Sequence, residues 1–347
     1  MSVASPAATI DLRSDTVTRP SPAMRRAMAE AEVGDDVLDG DPTTRRLERR
    51  TAEILGMEEA LFFPSGTQAN LTGIALCTEP GTELLIEADA HIVHYEVAGA
   101  AAVAGAQFRT IPTADGRLDA DRVRQALRPS DRHQPRQTAL AVENTHNAAG
   151  GRVLPPADMA AIVALAHEAG LAVHLDGSRL WNAAAALGEP PARLVRGATT
   201  VMVSFSKGLG CPVGSCLAFD ASRRARAWEI RKRLGGGMRQ SGVLAAAGLY
   251  ALEHNLARLP EDHTRARDFA TRIKHCPAVR VEMPESNIVM IDLVREGETA
   301  GAVIPRLEAA GLRVTQFGER RMRAVTHLDV GDPEVRRAAD IVQAVLA

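Results

Sequence analysis

A lysine becomes a candidate nucleophile when the chain had arginine to hand and did not use it. Of the 41 basic residues only Lys207, Lys232 and Lys274 are lysine, and all the others are arginine. A guanidinium supplies charge but stays protonated, so it cannot attack a carbonyl as a neutral amine can. Lys207 lies in Thr199-Thr-Val-Met-Val-Ser-Phe-Ser-Lys-Gly-Leu-Gly210, where an apolar strand runs into a polar, glycine-rich turn. That places its amine at the carboxyl edge of a sheet, where open α/β sheets bind their ligands. A lysine is ordinarily a solvated loop cation; scarcity and the Ser-Lys-Gly setting make this one a candidate for a Schiff base.

Three further stretches read the same way. Asp176, in Leu171-Ala-Val-His-Leu-Asp-Gly-Ser-Arg-Leu-Trp181, follows an apolar strand and is expected beside Lys207. Alone it reads as the cap of a helix beginning near Arg179. Paired with a lysine one strand-helix-strand unit later, it reads as a carboxylate able to keep a pyridinium nitrogen protonated. Phe63-Pro-Ser-Gly-Thr-Gln-Ala-Asn70 opens a helix after a strand, so the N–H groups near Gly66 and Thr67 form an anion site suited to a phosphate, though Ser-Gly-Thr also serves as an ordinary cap. His146 in Glu143-Asn-Thr-His-Asn147 is either a turn histidine bonded to local backbone or an imidazole placed to take a proton from a hydroxyl. Neither GxGxxG nor GxxxxGK[ST] occurs, which argues against nucleotide binding.

The elements that must position these residues follow from periodicity. Short apolar runs at Ala60–Phe63, Glu83–Glu87, Thr138–Glu143, Leu171–Leu175, Thr200–Ser204 and Ser215–Phe219 predict strands, with helices over Met159–Ala169 and Arg179–Leu187 between them. The class is α/β, a mostly parallel sheet wrapped by helices. After a breaker at Leu234–Gly237, helices over Ser241–Ala257 and Glu261–His275, strands at Ile288–Leu293 and Arg323–His327 and a helix near Ala300–Ala310 predict a smaller α+β domain. The expected division is an unstructured tail over residues 1–9, a large domain with an N-terminal arm over 10–240, and a small one over 241–347. With 347 residues, 46% hydrophobic and a formal net charge of −2, nothing points to nucleic acid or an anionic membrane. The first 20 residues carry no charged and apolar leader pattern, and no run approaches the roughly 18 apolar residues of a membrane span. The expected location is the cytoplasm. Cys77, Cys211, Cys216 and Cys276 form no CxxC pair, so reduced packing thiols are expected rather than disulfides or a metal site.

From Asp11 almost to its end the chain resembles the L-threonine aldolases of the fold-type-I pyridoxal-phosphate (PLP) enzymes. The resemblance is carried by Asp11-Leu-Arg-Ser-Asp-Thr-Val-Thr-Arg-Pro20, Val33-Gly-Asp-Asp-Val37, Ser65-Gly-Thr-Gln-Ala-Asn70, Glu143-Asn-Thr-His-Asn147, His174-Leu-Asp-Gly177, Ser206-Lys-Gly-Leu-Gly210, Gly235-Gly-Gly-Met-Arg-Gln-Ser-Gly242 and Val325-Thr-His-Leu-Asp329. It implies that Lys207 carries the cofactor, Asp176 faces the pyridinium, and Ser65, Gly66 and Thr67 cradle the phosphate, with Ser206 beside them. It further implies that His91 stacks on the ring, that His146 or His91 takes the substrate proton, and that Ser14, Arg179 and Arg323 hold the substrate carboxylate. Lys232 and Arg239 match positions that reach the phosphate region from a neighbouring subunit. The implied substrates are β-hydroxy-α-amino acids, cleaved reversibly to glycine and an aldehyde, and the implied assembly is a homotetramer, a dimer of dimers with shared sites. One stretch departs: where the family commonly reads Asp-Asp-Val-Tyr-Gly, with the tyrosine entering a neighbouring site, this chain reads Asp35-Asp-Val-Leu-Asp-Gly40. Leu38 cannot hydrogen-bond. The rival readings are another enzyme on this scaffold, a β-eliminating lyase or an aminotransferase, and a catalytically silent binding protein.

Overall fold

The computed structural model describes residues 9–347. The expected unstructured tail, residues 1–9, lies outside them except for Thr9. In chain order the strands are β1 (Ile10–Asp11), β2 (Glu59–Phe63), β3 (Glu83–Glu87), β4 (Gln107–Ile111), β5 (Gln137–Glu143), β6 (Ala172–Gly177), β7 (Thr200–Ser204), β8 (Ser215–Phe219), β9 (Val279–Val281), β10 (Ile288–Leu293), β11 (Leu312–Arg313), β12 (Thr315–Gln316) and β13 (Arg321–Val325). A seven-stranded sheet runs in the order β2-β8-β7-β6-β5-β3-β4. All its strands are parallel except β8, which is antiparallel to both β2 and β7. Every residue of β3, β7 and β8 is buried, as in strands covered by helices on both faces. The strands expected between residues 60 and 220 all form. The sequence pattern does not announce β4, because this edge strand, Gln-Phe-Arg-Thr-Ile, is mostly exposed or half-exposed and lacks an apolar run.

Helix ends fall where local chemistry puts them. Ser65 caps the Gly66–Cys77 helix, its side chain accepting the Gln68 N–H at 3.2 Å. Gly188 closes the Leu180–Leu187 helix at φ 64°, a left-handed conformation that favours glycine.

The smaller unit is an antiparallel sheet in the order β12-β13-β10-β9, covered by helices Leu259–Ile273, Ala300–Ala309 and Asp332–Leu346. Packing crosses the 240/241 division in both directions. The Gly242–His254 helix gives Ala245, Ala247 and Ala251 to the core of the large sheet. The N-terminal β1 pairs with β11, and Ile10 and Leu12 share a core with Phe269, Ile291 and Val335. Among the described residues no helix is long and apolar enough to cross a membrane.

One close approach ties this packing to the sheet edge. A Cβ at Gly73, on the Gly66–Cys77 helix, would stand 2.5 Å from His174 Cε1 and 2.6 Å from its Nδ1. Only glycine lets helix and strand come this near. We expect Gly73→Ala to lower unfolding free energy by about 1–3 kcal/mol through overpacking, as read by urea titration; wild-type stability would refute the close-packing argument.

Candidate active site

Because six strands of the sheet run the same way, their carboxyl ends lie along one edge. Beyond β2 come Ser65, Gly66 and Thr67; beyond β3, His91; beyond β5, His146 and Asn147; beyond β6, Arg179; beyond β7, Ser206 and Lys207. Glu143 and Asp176 stand in register on neighbouring β5 and β6. The Lys207 turn is pinned from outside: the Thr18 hydroxyl donates to the Lys207 carbonyl at 3.0 Å, and Asn255 Nδ2 donates to the Leu209 carbonyl at 2.8 Å. Burial pushes the Lys207 amine down to about 8 and the Arg179 charge adds to the drop, while Asp15, Asp176 and Glu143 pull the other way. A lysine near 8 has a usable neutral fraction at physiological pH.

Asp176 is 1% exposed. It accepts from the Ser178 N–H and from Asn70 Nδ2, both at 3.0 Å. Burial works to raise its pKa, but the charges of His91 and Lys207 and the Ser178 hydrogen bonds outweigh it, so the carboxyl lies below its ordinary value and is ionised. The same Asn70 nitrogen donates to Glu96 Oε1 at 2.8 Å, and Asn70 Oδ1 lies 3.1 Å from His174 Nε2. A carboxamide oxygen only accepts, so His174 carries its proton on Nε2, and its Nδ1 accepts from Thr200 Oγ1 at 2.8 Å. Burial holds His174 down at about 4, hence neutral. His91 differs. Burial opposes its protonation, but the Glu96 hydrogen bond (3.2 Å) and the charge of Asp176 raise its pKa from the ordinary value. Ligand atoms of His91, Glu96 and Asp176 lie within 4.8 Å of one another; Asn70 Nδ2 already donates to both carboxylates, which favours an ordered polar network over a cation.

A second set of charges faces Lys207. Arg179, 4% exposed, holds Asp15, 0% exposed, with two teeth: Nε to Oδ2 at 2.8 Å and Nη2 to Oδ1 at 2.7 Å. Burial alone would raise Asp15, yet Arg179, Lys207 and Asn287 hold it well below the carboxylate range. Arg323 enters from β13 and is pushed down to about 10, first by burial and then by the charge of Arg179. It rests over the Phe317 ring, 4.8 Å from the centroid, and its buried Nε has no partner among the described residues. Ser14 is occupied locally, its Oγ accepting from the Thr16 N–H at 3.2 Å.

Three candidates stand apart from this group. His146, 2% exposed, has both nitrogens committed elsewhere: its Nε2 lies 2.9 Å from Glu87 Oε2, and its Nδ1 accepts from the Ala149 N–H at 3.2 Å. Burial opposes its protonation, but Glu143 and Glu87 raise its pKa. Arg239 pairs with Asp35 at 3.3 Å, and Lys232 Nζ folds to 3.2 Å from where a Cβ on Gly237 would sit. No hydrogen bond or ion pair among the described residues joins either to Lys207 or Asp176. Conversely, Asp15, Asn70, Glu96, Asn147 and His174 were not singled out from the sequence. Four of them lie inside the matched motifs, which was the available signal; Glu96 lies outside them.

These groups fit PLP. They offer an amine near neutrality, an ionised carboxylate one strand away, N–H groups at a helix start, and beside Gly66 a buried Ser215 hydroxyl that has no partner among the described residues. The model of the beta-eliminating lyase family matches residues 11–296. The low specificity L-threonine aldolase of Escherichia coli K12 is 42% identical over 340 residues, covering 97% of this chain and 99% of that protein. The solved Leishmania major threonine aldolase superposes with a TM-score of 0.83 at 20% identity, over 97% of this chain and 100% of that one. Thermus thermophilus aspartate aminotransferase superposes at 0.74 and 18% identity, over 98% and 92%. The two solved structures share the fold-type-I architecture and say nothing further of chemistry. Identity of that degree along nearly the whole of both proteins does: the chain belongs to the low-specificity L-threonine aldolases of the beta-eliminating lyase family.

Proposed function

We propose that the protein is a PLP-dependent carbon–carbon lyase that cleaves L-threonine, L-allo-threonine and related β-hydroxy-α-amino acids to glycine and an aldehyde, and runs the reaction in reverse. The observation that carries this is Lys207 standing at one sheet edge between an ionised Asp176 and the Asp15–Arg179–Arg323 group. When bound, PLP supplies an electron sink for the pair released at Cα. Lys207 would hold it covalently, Asp176 would keep its ring nitrogen protonated, and Gly66, Thr67 and Ser65 at the helix start would take the phosphate, with Ser206 and Ser215 close by.

The chain's own work is orientation and proton transfer. Arg323, with its unpartnered Nε, and Arg179 dock the substrate α-carboxylate, assisted by Ser14, and this fixes which bond at Cα faces the ring. For the β-hydroxyl proton the two histidines differ. His146 commits both nitrogens, so it accepts a proton, directly or through water, only by giving up the Ala149 N–H. His91 has no hydrogen bond to Nε2 among the described residues, while Glu96 orients the ring through Nδ1. That favours His91 as the group facing substrate, with His146 one step removed.

The assembly belongs to the same proposal. Lys232 and Arg239 have no role toward their own Lys207, and Leu38 is 75% exposed, as suits residues that serve a neighbouring site in a homotetramer. Four buried, unpaired cysteines support a reducing compartment such as the cytoplasm. A large cofactor-binding unit and a small unit remain the proposed division, and the packing of Gly242–His254 supports a boundary nearer 258 than 240.

Incubation with L-threonine is expected to yield glycine and acetaldehyde in equal amounts; ammonia with a keto acid would instead identify an eliminating lyase. Lys207→Ala is expected to lose the yellow, borohydride-sensitive chromophore, and a retained chromophore would move the cofactor to another amine. The pH sign follows from the depressed lysine. Neutral Lys207 accumulates as pH rises through about 8, so the rate at which apoprotein captures PLP should climb across that value. Arg179→Gln removes a repelling charge and should move the midpoint upward, as stopped-flow absorbance would show.

A further inference from the structure

Asn147 places one acceptor between two cations. Its Oδ1 takes hydrogen bonds from Arg179 Nη1 at 3.2 Å and from Arg323 Nη1 at 2.7 Å. The residue is 6% exposed, and its backbone N–H donates to Glu143 Oε1 at 2.9 Å, so the carboxamide has a fixed seat. Asp15 neutralises Arg179 through the other two guanidinium nitrogens. Arg323 has no such partner. Among the described residues its Nη2 meets only the Arg13 carbonyl, at 3.3 Å, and its buried Nε has no partner. Of the two guanidiniums, Arg323 has no ion-pair partner among the described residues, and a neutral amide does not supply one. A buried charge of that kind is costly until a counter-ion arrives.

We propose that Asn147 is a positioning residue: it sets the spacing of the Arg179 and Arg323 guanidiniums while reserving the unpaired charge of Arg323 for the substrate α-carboxylate. The proposal rests on the carboxylate docking described above. An aspartate has nearly the shape of asparagine, but at this position it would itself act as the counter-ion and compete with substrate. A side chain without Oδ1 would remove the shared acceptor and let two like charges drift apart. The amide is thus the group that holds both arginines and leaves them receptive to a single carboxylate.

The test uses holoenzyme and two probes, glycine and ethanolamine, which share a primary amine but differ in the carboxylate. Binding is read from the change in absorbance of the bound cofactor. Asn147→Asp is expected to raise the glycine Kd and the threonine KM about tenfold or more, with kcat and ethanolamine binding changed less than about threefold. Asn147→Ala should raise the glycine Kd by less, since it removes the spacer and adds no charge. Unchanged glycine binding in Asn147→Asp overturns the proposal, and so does an equal loss for both probes. Arg323→Gln separates this proposal from the docking beneath it. If that variant binds glycine as wild type does, the docking itself fails; if it weakens glycine while both Asn147 variants do not, docking stands and the role of Asn147 falls. Should Asn147→Asp not accumulate as folded holoenzyme, the glycine-to-ethanolamine ratio of Asn147→Ala decides.

Discussion

A buried two-toothed ion pair between Asp15 and Arg179 joins three parts of this molecule that are distant in sequence. Asp15 belongs to the N-terminal arm, whose first strand is paired with β11 in the small unit. Arg179 starts the helix that follows β6 of the large sheet. Asn287, just before β10, donates to Asp15 Oδ2 at 3.2 Å and so brings in the small sheet. Losing one partner of such a pair leaves the other charged and buried, which costs about 3–5 kcal/mol. Arm, large sheet and small sheet are therefore held in one arrangement by a contact that also lies at the site.

That one guanidinium sets the charge state of its neighbours. Arg179 depresses Lys207 and Arg323 alike, second only to burial in each case. Asp15 opposes both shifts, so the strength of the pair governs how much repulsion reaches the amine and the second arginine. The nucleophile and the anion site are thus tuned from a common point. No separate device is needed to bring a lysine toward neutrality at a sheet edge, since desolvation and one fixed positive charge suffice.

The polar chain from Thr200 through His174 and Asn70 to Asp176 and Glu96 does complementary work. A neutral His174 donates to the oxygen of Asn70 and thereby turns the Asn70 nitrogen toward the two carboxylates. Were His174 charged, it would sit unpaired in the core, and burial rules that out. His91, with a carboxylate in contact, goes the other way. The two histidines, one within β6 and one beyond β3, shift in opposite directions because one has an anion beside it and the other has an amide and a hydroxyl.

Sequence alone determined six of the seven strands of the large sheet, all but the exposed edge strand β4, and the placement of Lys207, Asp176, Arg179 and the Ser65–Thr67 turn at strand ends, because these depend on local periodicity and turn chemistry. Lysine scarcity marked Lys207, and motif resemblance marked the fold. Tertiary structure alone decided which side chains meet. Asn70 reaches Asp176 across 106 positions, Arg179 reaches Asp15 across 164, and Arg323 reaches Asn147 across 176. It also decided that His146 faces Glu87 while His91 bonds Glu96. These meetings depend on the strand order β2-β8-β7-β6-β5-β3-β4 and on the small unit closing over it. Local patterns carry no record of either, since a period of two or of 3.6 residues fixes which way a side chain points from its own element and leaves open what stands opposite.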